Sequence, residues 1–397
     1  MAASSTDLWR WQGIPARPAA GEAGVRAAVS VELQAMRGIA ALIVVIAHCI
    51  SVVAQKDAPT TCLALLANGS GAVAFFFVLS GFVLASSWGE RTLDPRNYLV
   101  FVARRGFRIL PMLAFAATLG TLYRNHVEDG ATYLFASDWF VALCGRRVDL
   151  VHYLGSLTGY SALPAPQLWS IFVELAASTL LPLMIAASGT GPGRGLTLLL
   201  LVAVNWSGAP SFQYSWPAFM LNFYIGITIA WWGPGLARQA RRLSSDMLLA
   251  LVLGLLLLFS LSRPLIGNAQ HVDQLAQAIE MAATAPIIAL AYYHPAPFAV
   301  LRHRLAVWIG DISYSVYLLH FVVMTALVQL AARLWPQGLL AAHPNLLAFG
   351  LIIATTLLTL LAASATYRLV EMPGIACGRV LIARAQARWA VLGRRLA

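Results

Sequence analysis

Ten stretches of this chain are apolar on every side, and its polar positions gather between them. They run Arg37–Ala54, Gly71–Trp88, Phe107–Tyr123, Leu168–Ser188, Leu196–Trp206, Pro217–Trp232, Met247–Leu261, Gln274–Tyr293, Ala306–Leu330 and Leu346–Leu369. A membrane-crossing helix needs about 20 such residues; the fifth and seventh stretches fall short of that. Lipid offers no partner for unpaired backbone groups, so runs apolar all round predict helices rather than open strands. The predicted fold is all-α: a polytopic membrane helix bundle with about ten transmembrane helices.

The polar positions test that count. An even number of spans puts both termini on one side, and 21 of the 27 Lys and Arg residues then share it. Arg10, Arg17 and Arg26 precede the first span, Arg91 to Arg108 lie between the second and third, and Arg379 to Arg395 follow the last. Lys56, Arg124, Arg146, Arg147, Arg263 and Arg333 lie opposite. The positive-inside rule makes the arginine-rich side cytoplasmic, with both termini there.

Composition agrees. Apolar residues make up 59% of the chain and charged residues 11%, with a mean hydropathy of +0.73; soluble proteins carry about 25% charged residues. The net charge of +11 is loop arginine facing anionic lipid, so it implies membrane lipid as a partner and no nucleic acid. Residues 1–32 read as a flexible cytoplasmic segment without a signal-peptide h-region. Residues 33–373 read as the transmembrane domain and 374–397 as a basic cytoplasmic tail. The longest connection, Arg124–Gln167, is rich in aromatics, among them Tyr133, Phe135, Trp139, Phe140, Tyr153 and Tyr160. They suit either an interfacial belt or a cover over an acceptor site.

Candidate chemistry is confined to a few positions. The four cysteines have no metal spacing, so no metal is expected. Cys62 and Cys144 both map outside the cytoplasm, where a disulfide is permitted. Ionisable residues inside spans mark functional sites by default; here they are His48, Glu174, Glu280, Asp311 and His320. His48 lies eleven residues after Arg37, roughly 16 Å along a helix at 1.5 Å per residue, so a potential base sits near mid-membrane. Glu174 is the expected carboxylate partner for its imidazole, orienting it as a base–orienter pair does. Arg105 and Arg108, three apart, share a helix face. With Arg37 they suit either phosphate, gripped by forked hydrogen bonds, or topology and lipid headgroups.

Six blocks in order resemble the membrane-bound acyltransferase family 3, the bacterial O-acetyltransferase type. They are RGIAALIVVIAH with Arg37 and His48, FFFVLSGFVL with Ser80 and Gly81, and FVARRGFRILP with Arg105 and Arg108. LWSIFVE follows with Trp169, Ser170 and Glu174, then GDISYSVYLLH with Tyr314, Tyr317 and His320, and YRLVEMP with Glu371. The chain departs from the family at Ala74, where many members carry Asp.

The resemblance implies transfer from cytoplasmic acyl-CoA, usually acetyl-CoA, to a hydroxyl of a glycan such as an exopolysaccharide, O-antigen or lipid-linked sugar. It implies a bacterial inner-membrane enzyme of polysaccharide O-acetylation, with acyl-CoA as donor substrate and no permanently bound cofactor. His48 and Glu174 would be catalytic, and Arg37, Arg105 and Arg108 would hold CoA phosphates. Ser80, Trp169, Ser170, Tyr314 and His320 would line the substrate path. A macrolide or other small secondary metabolite is the alternative acceptor. A transporter or flippase is the alternative class, although the internal repeats and paired broken helices of transporters are not visible in the chain.

Overall fold

In the computed structural model, which describes residues 30–53, 67–129, 133–207, 216–266 and 272–396, a long helix carries each apolar run and no strand occurs among the described residues. The helices are α1 (Val31–Val53), α2 (Gly69–Trp88), α3 (Pro95–Leu122), α4 (Asp138–Leu143), α5 (Leu150–Ser156), α6 (Leu168–Ala187), α7 (Gly191–Trp206) and α8 (Trp216–Ala240). The order continues with α9 (Ser245–Ile266), α10 (Val272–Tyr293), α11 (Arg304–Asp311), α12 (Ser313–Leu334), α13 (Gln337–Ala342), α14 (Pro344–Thr366) and α15 (Met372–Leu396). Seven are long and apolar enough to cross a membrane: α1, α2, α6, α9, α10, α12 and α14 with its continuation. The others have visible reasons to fall outside that group. Helix α3 carries Arg104, Arg105 and Arg108, α7 has 16 residues, and α8 interleaves Trp216, Asn222, Trp231 and Trp232 with its apolar positions. The molecule is a multi-pass membrane helix bundle.

Burial separates centre from rim. The apolar stretch of α12 is 72% buried and that of α9 only 17%. Helix α9 presents Leu249, Leu253 and Leu257 outward, and α14 presents Leu346, Leu357 and Leu361. Such faces need lipid against them. At the centre, α1 packs against α2, α11, α12 and α14. Helices α2 and α8 approach most closely where two glycines face each other. A Cβ on Gly81 would strike the Phe223 carbonyl, and one on Gly226 the Val78 carbonyl; small residues let membrane helices come this near.

Two expectations change. The ninth run is not one span: the helix breaks at Ile312 (φ −90°, ψ 3°) between α11 and α12. The break lets Gly310 lie against the Gln34 backbone of α1 and Gly38 against Gly310 itself. It also delivers the first turn of α12 to the charged groups described below. The last run does not stop at Leu369: α14 continues through a π-helical turn at Tyr367–Glu371 into α15. Helix α15 packs on α3, with Gly374 against Pro111 and Gly378 against Phe107.

Glu280 is used inside the bundle. Asn68, before α2, donates through Nδ2 to Glu280 Oε1 at 2.9 Å and to Ser262 Oγ at 3.0 Å, and Arg263 Nε donates to the same carboxylate at 3.2 Å. This network ties α2, α9 and α10 together. In the long connection, Tyr133, Phe135 and Phe140 are buried against α1, α12 and α14, while Trp139 and Tyr160 remain partly exposed. Cys144 is a free thiol, its pKa pushed up to about 12 by burial and by Glu128; Cys62 lies outside the described residues.

Candidate active site

Two polar centres occupy the core of the bundle, one built on histidines and one on arginines. In the first, His48 of α1 meets His320 of α12, with Nδ1 and Nε2 2.8 Å apart. The ring centroids are 5.0 Å apart and the planes 8° from parallel. With so short a nitrogen contact, the rings lie edge to edge in one plane, as a hydrogen-bonded pair does. His320 Nδ1 lies 2.7 Å from the Tyr317 carbonyl of its own helix.

These contacts fix the tautomers. A carbonyl only accepts, so His320 carries its proton on Nδ1 and presents a bare Nε2. That nitrogen accepts from His48 Nδ1–H. By this assignment His48 holds its proton on Nδ1, and its Nε2 is left as an unprotonated acceptor. His320 is fully buried, whereas His48 is only half-buried. The imidazole that can still be reached is therefore the one with a free lone pair.

The ring is held on further sides. Trp139 of α4 lies parallel to it (5.7 Å, 10°), and Phe321 meets it edge-on (5.8 Å, 89°). Tyr317 is fixed in turn: its hydroxyl lies 2.7 Å from Ser170 Oγ, which donates to the Gln167 carbonyl at 2.9 Å. Gln167 Nε2 donates to the Leu318 carbonyl at 2.9 Å. The start of α6 thus buttresses the turn of α12 that orients His320.

The second centre lies nearer the start of α1. Arg105 donates to Glu174 and, through Nε, to Ser178 Oγ at 3.3 Å. Arg108 lies 2.8 Å from Glu371, which also accepts from Ser315 Oγ at 2.8 Å. Gln34 bonds Asp311. Arg37 is half-buried within the field of Arg105, Arg108, Glu174 and Glu371, yet among the described residues it makes no hydrogen bond or ion pair of its own. Asp94 sets the register of α3 from its N-cap, accepting from Arg96 N at 2.9 Å and Asn97 N at 3.0 Å. Those bonds hold its carboxyl below the usual range.

The sequence-predicted residues thus divide between two places. His48 and His320 come together, and so do Arg37, Arg105, Arg108 and Glu174. The expected His48–Glu174 pair is not formed. Glu174 starts six residues into a helix whose first turn serves Tyr317, and one further turn carries its carboxylate to Arg105. Ser170 reaches the histidine pair through Tyr317, and Tyr314 donates to the Ile109 carbonyl at 2.9 Å, next to Arg108. Trp169 packs on Phe77 and Phe219, and Ser80 is half-buried with no side-chain hydrogen bond among the described residues. Among the described residues no three His, Cys, Asp or Glu side chains converge as metal ligands. Sequence reasoning missed Glu371 as the partner of Arg108, Trp139 as a neighbour of the base, and the pairing of the two histidines. The matching mid-helix depth of His48 and His320 was the available signal.

Fold and site together define a polytopic membrane protein with a buried histidine pair and an arginine cluster on adjoining helices. A family model described as "Acyltransferase domain" matches residues 30–364, and the chain belongs to this acyltransferase family. It is similar to "Acyltransferase MdmB" of Streptomyces mycarofaciens, 27% identical over 309 residues, covering 68% of this chain and 72% of the relative. No solved structure matches. The protein is a membrane acyltransferase.

Proposed function

We propose that this acyltransferase moves an acyl group, usually acetyl, from cytoplasmic acyl-CoA to a hydroxyl of a glycan acceptor in the bacterial inner membrane. The observation that carries the reading is the donor chain from His48 Nδ1 through His320 to the Tyr317 carbonyl, which leaves the lone pair of His48 Nε2 without a proton. A base must lie within hydrogen-bond reach of the proton it takes. The acceptor O–H proton passes to Nε2 while the oxygen attacks the thioester carbonyl carbon. The tetrahedral intermediate then expels the CoA thiolate, which takes the proton back from Nε2.

The arginine centre suits the donor. Guanidinium forks match phosphate, and their hydrogen bonds to charged partners are strong. Arg37 is free to receive one, and Arg105 and Arg108 are held ready by Glu174 and Glu371. Arg37 and His48 share α1, roughly 16 Å apart by helix rise, so an extended pantetheine arm links the two centres. In this reading the arginine end faces the cytoplasm, as the loop charges require. Glu174 serves as a positioning residue for Arg105.

The reading is tested by acetyl transfer and acetyl-CoA binding measured on one purified preparation in nanodiscs. Replacing Arg37, Arg105 or Arg108 with Ala is expected to weaken acetyl-CoA binding by about 1.5–3 kcal/mol each, the range for hydrogen bonds to charged groups. Unchanged binding in the triple variant would return these residues to topology and lipid.

A further inference from the structure

Helix α4 is tied down onto the end of α1 beside the base. Ser137, its N-cap, donates through its backbone N–H to the Val52 carbonyl at 2.7 Å and through Oγ to the Ser51 carbonyl at 2.6 Å. Both carbonyls belong to the last turn of α1, where helical partners run out. The same Oγ accepts from Phe140 N at 3.3 Å. Tyr133, Phe135 and Phe140 anchor the segment in the core. Trp139 is the side chain this fastening directs at His48. Its indole lies parallel to the imidazole, and Phe321 meets both rings edge-on, at 6.2 Å and 86° for the indole. Trp139 keeps 38% of its surface exposed, so the residue that flanks the His48 ring also reaches the outside of the bundle.

Resting on the reading of His48 as the base, we propose that Trp139 is a cover that keeps water from His48 Nε2 and so decides between acyl transfer and acyl-CoA hydrolysis. A base that activates a sugar hydroxyl activates water equally well. Water reaching Nε2 would give up a proton there and add its oxygen to the thioester carbonyl. The C–S bond would break, and the thiolate would recover the proton, leaving free acid and CoA. Closing a site against water is how enzymes prevent such side reactions. A large, flat, partly polar indole clamped at its backbone fits that task, and an acceptor ring can displace its exposed edge.

The experiment needs no acceptor. Purified protein in nanodiscs is given acetyl-CoA alone, and released CoA thiol is followed, with acetyl-CoA binding and monodisperse elution checked for each variant. Trp139→Ala is expected to raise CoA release roughly 10-fold or more, within the 10²–10⁴-fold that a positioned base supplies. Trp139→Phe, which keeps an aromatic face, is expected to stay near wild type. Ser137→Ala, which loosens the clamp without touching the ring, is expected to move in the same direction as Trp139→Ala. Adding His48→Ala to Trp139→Ala should abolish the excess. If Trp139→Ala and Ser137→Ala bind acetyl-CoA but release no more thiol than a wild type that still transfers acetyl in native membranes, the cover is refuted and the acyl-CoA reading stands. An excess that survives His48→Ala also refutes it. A wild type that neither binds nor consumes acetyl-CoA refutes both.

Discussion

The proton of His48 sits on Nδ1 because the Tyr317 carbonyl can accept a hydrogen bond but cannot give one, and that constraint passes through His320 to the base. In the proposed mechanism His320 is a positioning residue. His320→Ala is expected to cut kcat by roughly 10²-fold, the lower end of what a well-placed base supplies, with KM for acyl-CoA unchanged. His320→Gln, whose amide has an acceptor and a donor, should recover part of the loss. Equal turnover in His320→Ala would remove His320 from the mechanism. Glu174→Gln tests the other pairing: with Glu174 on Arg105, KM for acyl-CoA should shift several-fold while kcat holds. A fall in kcat at unchanged binding would put Glu174 in the chemistry. Sequence alone singled out His48, Glu174 and His320, because ionisable groups inside apolar runs are few. It could not pair them, since pairing depends on the rotation of each helix about its axis. On α6 about one turn separates Ser170, which reaches His320 through Tyr317, from Glu174, which meets Arg105.

Among elements, the ten long helices were legible because lipid leaves an apolar run one secondary structure to adopt. The break at Ile312 is marked in the chain only by Gly310, Asp311 and Ser313 interrupting the apolar run, and its cause is tertiary: the close approach of Gly310 to α1. The break has a use, since it places Ser315 on Glu371 and leaves His320 two turns deeper on a straight helix. The α2–α8 contact was invisible in the pattern. Gly226→Leu should force apart backbones now in contact and cost about 1–3 kcal/mol, as overpacking does, seen as a lower midpoint of thermal unfolding in detergent. A midpoint equal to wild type would mean that the two helices do not depend on this contact.

For the whole molecule, the alternation of loop charge predicts the orientation. Reporter fusions are expected to place the N- and C-termini both in the cytoplasm, with Trp139 and the rest of Arg124–Gln167 on the far side. A C-terminal reporter active only outside would contradict the ten-span arrangement. In the proposed reading that orientation would bring donor phosphates to the arginines from within and an acceptor hydroxyl to His48 from beyond. The family match over residues 30–364 covers His48, His320, Arg37, Arg105, Arg108 and Glu174, while Glu371, the partner of Arg108, lies beyond it.

The most direct test of this account is a single substitution read two ways. Purified His48→Ala in nanodiscs, assayed with acetyl-CoA and native membranes as the acceptor source, should lose acetyl transfer by at least the 10²-fold expected of a missing base. Its acetyl-CoA affinity should remain at the wild-type value, because the proposed phosphate grip lies at Arg37, Arg105 and Arg108. Turnover within a few-fold of wild type would contradict the assignment of His48 as the base.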